Sequence, residues 1–168
     1  RNFRNEGIDQ THQPEFTMIE WYEAYADYNR MMDVTEGLFK HLANKLHGTT
    51  SVQMEDCTID LGGAWPRLVM KDAIKQYLEL DFDAQSDDRL RTLLEENQLE
   101  IAGEFTRGKA QFAIFDKLVA KQLINPTWII DYPRDISPLA KQHRTNPALA
   151  ERFELYVGGK ELADGWSE

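Results

Sequence analysis

A pair of glycines near the end of the chain, Gly158-Gly159, constrains the fold more than any other sequence feature. A strand-like run lies on either side, at residues 153–157 and 160–168. Two such runs separated by Gly-Gly are typical of an antiparallel hairpin with a two-residue turn. A turn of this kind fixes which residues face each other. The predicted pairs are Val157 with Lys160, Tyr156 with Glu161, and Glu154 with Ala163.

The order of elements in the rest of the chain indicates the fold class. Apolar periodicity predicts helices over residues 27–47, 69–79, 87–97 and about 106–121. Strand patterns occur at residues 51–54, 57–61 and 127–132, and two short runs open the chain. Strands, then helices, then strands favour an α+β fold with an antiparallel sheet over a wound parallel sheet.

The first predicted helix carries the clearest boundary signals. Asp27 is a plausible N-cap for this helix, and Gly48 is a natural C-terminal stop. For the helix predicted at residues 87–97, the expected cap is Ser86 or Asp87. The apolar residues expected to recur along the first helix are Met31, Val34, Leu38, Phe39, Leu42 and Leu46.

Composition excludes several classes of protein. The chain has 168 residues, with 19 Lys and Arg against 29 Asp and Glu, for a net charge of −10. This acidity argues against a general nucleic-acid clamp. The single cysteine, Cys57, cannot form an internal disulfide, nothing resembles a zinc motif, and a small buried side chain is expected there. Without an apolar run of membrane-spanning length or a signal peptide, cytoplasmic localisation is the default expectation.

The first 22 residues combine apolar and charged side chains in an unusual way. Two short runs flank a loop at residues 7–14 that contains Gly and Pro. Strand alternation places Asn2, Arg4 and Glu6 on one face, and Phe16, Met18, Glu20 and Tyr22 on another that would meet it in a hairpin. A flat apolar platform beside convergent charges suits a ligand with a ring and charged ends. The alternative is an exposed face on which Arg and Glu pair across the strands.

The closing hairpin presents a second chemical pattern. In the predicted register Glu154 and Glu161 share a face, where two carboxylates repel each other and a Mg²⁺ ion would relieve the conflict. The alternative is two solvated glutamates, partly neutralised by Lys160. Asp164, Trp166 and Glu168 share the opposite face of an ideal strand. If they serve the same site as Glu161, a bulge must fall between residues 161 and 166, and Gly165 is a suitable place.

Several motifs taken together resemble those of class II lysyl-tRNA synthetases. They are FRNEGID at residues 3–9, His12, PEFTM at 14–18, EWY at 20–22, AYADY at 24–28, NPT at 125–127, YP at 132–133, ISPLA at 136–140, RFE at 152–154, GGKEL at 158–162 and SE at 167–168. The resemblance covers essentially the whole chain. It implies a partial class II catalytic domain at residues 1–168, with motif 2 at residues 1–22 and a magnesium and lysine-site hairpin at 152–168.

The resemblance also implies what the chain lacks. Motif 1, motif 3 and the anticodon-binding domain of the family are not found among these residues, and the chain begins and ends inside strand patterns. The expectation is therefore an internal fragment of a longer enzyme, impaired when alone.

Roles in ATP binding are implied by position in motif 2. Arg4 would grip the lysine carboxylate and the α-phosphate of ATP, because a guanidinium is a permanently charged fork that matches both anions. Glu6 would lie near the adenine and the amino acid, and His12 near the β- and γ-phosphates. Phe16 would stack on adenine with Met18 beside it. Arg4, Glu6 and His12 form the implied catalytic set.

The implied lysine site draws on both hairpins. Glu20 would bind the α-amino group, Tyr22 and Glu168 the ε-ammonium, and Trp166 would cover the methylenes. Asp164 stands where the family usually has Asn, Trp166 replaces a common Phe, and Gln13 replaces an Asn. Glu154 and Glu161 match the carboxylates that bind Mg²⁺.

The resemblance implies that the parent enzyme converts lysine and ATP to lysyl-adenylate and transfers the lysyl group to tRNA(Lys), as a homodimer without membrane association. One alternative is a paralogue that lysylates a protein such as elongation factor P. Another is a non-catalytic ligand-binding or interaction module with the same fold.

Overall fold

The computed structural model describes residues 1–5, 7–9, 12–54 and 57–168. Its elements, in chain order, are β1 (Asn2–Phe3), β2 (Glu15–Phe16), α1 (Tyr28–His47), β3 (Ser51–Met54), β4 (Cys57–Asp60), β5 (Arg67–Val69), α2 (Met70–Leu78), α3 (Asp87–Glu96), α4 (Arg107–Ile114), β6 (Thr127–Pro133), β7 (Leu149–Val157) and β8 (Lys160–Trp166). A π-helical turn (Phe115–Val119) and a 3-10 turn (Ala120–Gln122) follow α4, and another 3-10 turn (Arg134–Ile136) follows β6. Within the described ranges, no helix is both long and apolar enough to cross a membrane.

A four-stranded sheet in the order β5-β6-β7-β8 organises the α+β fold. The β6–β7 and β7–β8 pairs are antiparallel, as expected, but β5 and β6 are parallel. The prediction of a wholly antiparallel sheet is therefore wrong for this pair. The reason is the connection: α2, α3 and α4 lie between β5 and β6, and a helical crossover returns the chain in the parallel direction.

Both faces of this sheet are covered. On one face, Trp128, Phe153 and Leu155 pack with α1 residues such as Tyr28 and Met32 and with the β3–β4 hairpin. The other face carries a second core with α2, α3 and α4, whose sheet residues include Ile129, Tyr132 and Tyr156. Since both faces are packed, β7 is almost continuously buried instead of alternating.

Helix α1 has the boundaries that its sequence signals predict. The Asp27 side chain accepts hydrogen bonds from the backbone N–H groups of Asn29 and Arg30. Gly48 ends the helix at a positive φ of 70°. The buried face differs from the predicted stripe, however, since it consists of Tyr28, Met32, Thr35 and Ala43. Leu42 and Leu46 are exposed, because a neighbouring stripe of the helix faces the sheet.

The other helices agree with prediction up to residue 114. Helices α2 and α3 lie within the predicted ranges, and the Ser86 side chain caps α3 by accepting from Arg89 N. The predicted helix at 106–121 changes to π geometry after Ile114. A π turn adds a residue and so changes which side chains face inward. Phe115 and Val119, the first and last residues of the π turn, are both fully buried.

The β7–β8 hairpin contains a register change that its turn does not predict. Val157 pairs with Lys160 and Tyr156 with Glu161, as expected, but Leu162 is then bulged out of the ladder. The following pairs are Leu155 with Ala163, Glu154 with Asp164, Phe153 with Gly165, and Arg152 with Trp166. The predicted Glu154–Ala163 pair is therefore wrong. The bulge does fall between residues 161 and 166, although not at Gly165.

Gly165 has a packing role instead. A Cβ atom built on Gly165 would lie 2.5 Å from Cζ of Phe153, its cross-strand partner. The absent side chain thus makes room for the Phe153 ring, which is a common reason for glycine inside a strand.

The β1–β2 hairpin is shorter than predicted. Only Asn2 with Phe16 and Phe3 with Glu15 are paired, and this two-stranded sheet is separate from the main one. Residues 17–23 form no strand. The alternation expected for Met18, Glu20 and Tyr22 is therefore wrong, because an extended run is stabilised as a strand only by a neighbour, and the described chain places none beside it.

Two smaller predictions differ from the structure. Cys57 is half-buried rather than buried, and its Sγ donates to the Met54 carbonyl at 3.3 Å. Histidines outside the family motifs are expected at the surface or in helices, and His41 and His47 on α1 fit this expectation. His143 differs, because it lies in a loop and its side chain is only 15% exposed.

Candidate functional site

The Leu162 bulge gives the β7–β8 hairpin a polar face. Because the bulge adds one residue to β8, Asp164 and Trp166 move to the face that carries Glu161. Their partners on β7 are Glu154 and Arg152, respectively. Glu154 and Glu161 therefore share a face, as the sequence predicts. Asp164 and Trp166 join them, as a single site at this hairpin requires.

Glu154 is buried and held from two sides. It is 1% exposed. Arg152 Nη2 donates to its Oε1 at 2.5 Å, and the Tyr156 hydroxyl donates to its Oε2 at 2.7 Å. The Arg152 guanidinium also lies 4.7 Å from the centre of the Tyr132 ring. The alternative of a solvated glutamate therefore does not apply to Glu154, whose carboxylate is oriented by a fixed cation and a phenol.

Glu161 lies at the exposed rim of this face. The surrounding protein still removes water from one side of its carboxyl group. This desolvation, followed by the negative charges of Glu154 and Asp164, raises the pKa of Glu161 to about 7. Arg152 opposes the change. A further positive charge at this face would favour the ionised form of Glu161.

The fit of Mg²⁺ to this face depends on other ligands. Within the described residues, no three Asp, Glu, His or Cys side chains are grouped so as to hold a metal ion. Magnesium sites commonly use one or two carboxylates together with waters and substrate phosphates. Glu154 and Glu161 match that type of site. Arg152 Nε is buried and has no hydrogen-bond partner among the described residues. It could donate to an anionic oxygen of a ligand bound at this face.

The predicted lysine-site residues of β8 lie at the outer end of the same hairpin. Asp164 is exposed and Trp166 half-buried. Glu168 is exposed and lies two residues beyond the end of β8. An acidic pair beside an indole ring at an edge strand suits an alkyl ammonium group.

Arg4 and Phe16 lie on one face of the β1–β2 hairpin, as predicted. The Arg4 guanidinium carbon is 5.2 Å from the centre of the Phe16 ring. Arg4 N donates to the Pro14 carbonyl at 2.9 Å, which extends the pairing of the hairpin by one step. Glu6, the third predicted residue of this face, lies outside the described residues.

His12 is oriented by an acid that the sequence did not single out. Its backbone N donates to Asp9 Oδ1 at 2.7 Å, and its Nδ1 lies 3.1 Å from both carboxylate oxygens of Asp9. The imidazole is exposed. The Asp9 carboxylate therefore fixes where the exposed ring of His12 lies.

The remaining predicted residues do not gather around these groups. Met18 is 41% exposed and Tyr22 is 80% exposed, and Glu20 is also exposed. The β1–β2 and β7–β8 hairpins belong to different sheets. The contacts within the described residues therefore link the candidate residues into two groups, one on each hairpin.

Sequence reasoning missed three residues that orient the candidate groups, namely Asp9, Arg152 and Tyr156. A signal for two of them was present. Arg152, Glu154 and Tyr156 alternate along β7, so a period of two places all three on one face. Asp9 lies in a loop and falls within the FRNEGID motif, although the motif implied no role for it.

Comparison with known proteins identifies the family. A sequence model described as tRNA synthetases class II (D, K and N) matches residues 1–168. The chain belongs to this class II tRNA synthetase family. Among curated members, lysine–tRNA ligase 2 of Methanosarcina mazei is 50% identical over 169 residues, covering 100% of this chain and 33% of that protein. Lysine–tRNA ligase of Clostridium botulinum is 45% identical over 172 residues, covering 100% of this chain and 34% of that protein. This class II synthetase chain therefore spans about a third of the length of the curated relatives it matches.

Proposed function

We propose that the full-length protein is a lysine–tRNA ligase that activates lysine with ATP and transfers the lysyl group to tRNA(Lys). The observation that carries the proposal is the polar face of β7–β8. It holds the acids Glu154, Glu161 and Asp164 with Arg152, in a chain that is 50% identical throughout to a protein named lysine–tRNA ligase 2. The face combines sites for an ammonium substrate and for metal-bound phosphate, which this reaction needs together.

In the first step a lysine carboxylate oxygen attacks the α-phosphorus of ATP. The new O–P bond forms as the bond to the β-phosphate oxygen breaks, and pyrophosphate leaves. Because negative charge develops on the α-phosphoryl oxygens, a fixed cation there lowers the barrier. We assign that role to Arg4, whose contact with the Phe16 ring restrains its guanidinium. The Phe16 ring offers the adenine base a stacking surface, with Met18 beside it.

His12 and Glu6 complete the motif 2 group in this proposal. Asp9 holds the His12 ring, which we assign to the β- and γ-phosphates. Glu6 is assigned to the adenine side. Mg²⁺, when bound with ATP, supplies positive charge that holds the phosphates in line. Glu154 and Glu161 would hold that ion, and Arg152 and Tyr156 keep the Glu154 carboxylate oriented.

Recognition of lysine is assigned to acids and rings of the segment after β2 and of the end of the β7–β8 hairpin. Glu20 would take the α-amino group, and Tyr22 and Glu168 the ε-ammonium. Trp166 would cover the methylenes, with Asp164 adding negative charge. In the second step the terminal adenosine of tRNA(Lys) takes the lysyl group, and AMP leaves.

The test is lysine-dependent ATP–pyrophosphate exchange by the full-length protein. We expect Arg4→Ala to lower the exchange rate by roughly 10²–10³, the usual effect of removing one donor to a developing oxyanion. A matched control is Arg89→Ala, since Arg89 pairs with Glu96 on the exposed side of α3.

Exchange that responds to another amino acid and not to lysine would refute the assignment. The acceptor is tested separately by charging tRNA(Lys) and, in parallel, elongation factor P. Lysylation of the protein factor alone would show a protein-modifying paralogue. Absence of ATP binding would show a non-catalytic module.

A further inference from the structure

Ser167 lies between two candidate lysine-site residues, Trp166 and Glu168, and its polar groups are tied to three separate segments. It is 6% exposed. Its N–H donates to the Glu151 carbonyl at 2.9 Å, and its own carbonyl accepts from Lys141 N at 2.8 Å. Its Oγ accepts from Tyr28 N at 3.0 Å. The backbone on either side of Ser167 is therefore held in one place.

Tyr28 links this point to the interior. It is the first residue of α1, is 5% exposed, and its hydroxyl donates to Asp131 Oδ1 at 2.8 Å. Asp131 is 9% exposed and lies at the irregularity of β6, between Ile130 and Tyr132. The Nε2 atom of His143 lies 3.7 Å from the same Asp131 oxygen. A single buried tyrosine thus connects α1, β6 and the residue after β8.

The conformation of Asp131 indicates that this connection is specifically maintained. Its φ of 58° lies in the left-handed region, which non-glycine residues seldom adopt. Such conformations persist where surrounding contacts over-determine them, and they concentrate at functional sites. Here the contact that uses the conformation is the hydrogen bond from Tyr28.

Arg144 adds a second tie between the same segments. Its Nε donates to Glu151 Oε1 at 2.5 Å and its Nη2 to Asp27 Oδ2 at 2.8 Å. Asp27 caps α1 immediately before Tyr28, and Glu151 is the residue whose carbonyl accepts from Ser167 N. Arg144 therefore joins the start of α1 to Glu151, the β7 residue whose carbonyl accepts from Ser167 N.

The ties support a strand that has little other support. β8 is an edge strand, paired only with β7 in the described sheet. Glu168 lies beyond its last ladder residue. Without the hydrogen bonds at Ser167, we expect Trp166 and Glu168 to sample several positions.

We propose that Tyr28, Asp131 and Ser167 are positioning residues that hold Trp166 and Glu168 for the side chain of the lysine substrate. The inference rests on the proposed function, because it takes Trp166 and Glu168 as lysine contacts. None of the three positioning residues has its polar side-chain atom in the polar face of β7–β8. Asp131 holds the Tyr28 side chain, and the Tyr28 N–H donates to Ser167 Oγ, which fixes the residue between Trp166 and Glu168.

The kinetic experiment measures ATP–pyrophosphate exchange by the full-length protein with Ser167→Ala and with Tyr28→Phe. Tyr28→Phe removes the hydrogen bond to Asp131, and Ser167→Ala removes the bond from Tyr28 N together with a side-chain hydrogen bond to Glu151. We expect the lysine KM to rise about 3- to 10-fold, the range for losing one such bond, while the ATP KM stays within about twofold. Matched controls are Ser51→Ala, at an exposed serine of β3, and Tyr77→Phe, at a partly buried tyrosine of α2.

Two substitutions of Asp131 test whether the hydrogen bond from Tyr28, and not the overall stability of the fold, sets the lysine KM. Asp131→Asn keeps an acceptor for the Tyr28 hydroxyl and tolerates a positive φ, so we expect near wild-type lysine KM. Asp131→Ala removes the acceptor and also strains the backbone at a positive φ, so its lysine KM should rise at least as much as that of Tyr28→Phe. The double variant Tyr28→Phe/Asp131→Ala should be no worse than Asp131→Ala alone, because the hydrogen bond is already lost.

Hydrogen–deuterium exchange over residues 160–168 measures positioning without relying on activity. We expect faster exchange there in Ser167→Ala and Tyr28→Phe, with α3 unchanged. Unchanged deuterium exchange over residues 160–168 would overturn the proposal, and so would equal increases in the KM for lysine and the KM for ATP. If the wild-type protein shows no lysine-dependent ATP–pyrophosphate exchange, the proposed function is overturned instead. The deuterium exchange would still decide whether these hydrogen bonds hold residues 160–168 in place.

Discussion

Substituting Gly165 with Ala tests the packing that sets the β7–β8 hairpin. An added Cβ would lie 2.5 Å from Cζ and 3.0 Å from Cε1 of Phe153. The ring cannot easily withdraw, because it is 2% exposed and packs edge-to-face on Trp128, with ring centres 5.1 Å apart. Trp128 is itself fully buried. The added methyl group must therefore displace an aromatic pair or the β8 backbone.

The size of the effect follows from this overlap. Inserting a methyl group into a well-packed core costs about 1–3 kcal/mol. A value of about 2 kcal/mol is expected here, since the clashing ring is held by a second one. For a chain of this length each kcal/mol changes the melting temperature by about 2–4 °C, so Gly165→Ala should melt about 4–8 °C lower.

Urea and thermal unfolding of the 168-residue chain, followed by circular dichroism, provide the assay. In a Phe153→Leu background the clash is relieved, and the penalty of Gly165→Ala should fall below about 1 kcal/mol. Gly37→Ala is the matched control. A Cβ at Gly37 meets nothing within 4 Å, and the residue lies in α1, so that variant should be stabilised by up to about 1 kcal/mol. An unchanged melting temperature for Gly165→Ala, or the same penalty with Leu at position 153, would refute the packing argument.

Two further predictions concern pH. Arg144 lowers the pKa of Glu151 from 4.5 to about 2 in spite of burial, so this group stabilises the fold fully above pH 4.5 and loses its effect as the pH falls towards 2. Glu151→Gln should cost about 1–2 kcal/mol at pH 6, discounted because Arg144 is half-exposed, and the difference from wild type should vanish near pH 2 in urea titrations. The pKa of Glu161 is raised instead, from 4.5 to about 7, and its effect on stability is opposite. Between pH 4.5 and about 7 the folded state binds more protons than the unfolded state, so the free energy of unfolding falls as the pH rises through this range. Glu161→Gln should remove that slope and stabilise the chain at pH 8 by about 1 kcal/mol after allowance for solvent, and a slope that persists in this variant would contradict the assignment.

Local signals were sufficient where neighbouring residues determine the structure. Asp27 and Gly48 bound α1 as predicted, because capping depends on residues within one turn. The turn at Gly158-Gly159, with φ values of 61° and 72°, sets the first two pairs of its hairpin correctly. In these places the physical cause lies within a few residues of the effect.

Distant partners account for what the sequence did not predict. The parallel β5–β6 pair and the Tyr28–Asp131 hydrogen bond join segments far apart in the chain. With the bulge at Leu162, Gly165 lies opposite Phe153 on the neighbouring strand, and the Phe153 ring needs the space that a side chain at 165 would fill. No pattern within β8 alone contains that requirement. Residue type alone identified the candidate carboxylates. The position of Arg152 relative to Asp164 and Glu161 follows only from the β7–β8 register, which the bulge sets.

Because of the Leu162 bulge, the number of residues in β8 decides which of its side chains point to the polar face. Upstream of it, odd-numbered Glu161 points to the polar face, and downstream the even-numbered Asp164 and Trp166 do. Leu162 itself is 45% exposed, so its identity matters little to the core, whereas its presence as a spacer decides which side chains reach the acids and which reach the aromatic rings. Substitutions at this position should therefore be broadly tolerated in relatives of this chain, while the loss or gain of a single residue between Glu161 and Asp164 exchanges the two faces of the strand. Only changes of two residues, or a compensating bulge on β7, would leave the polar face intact.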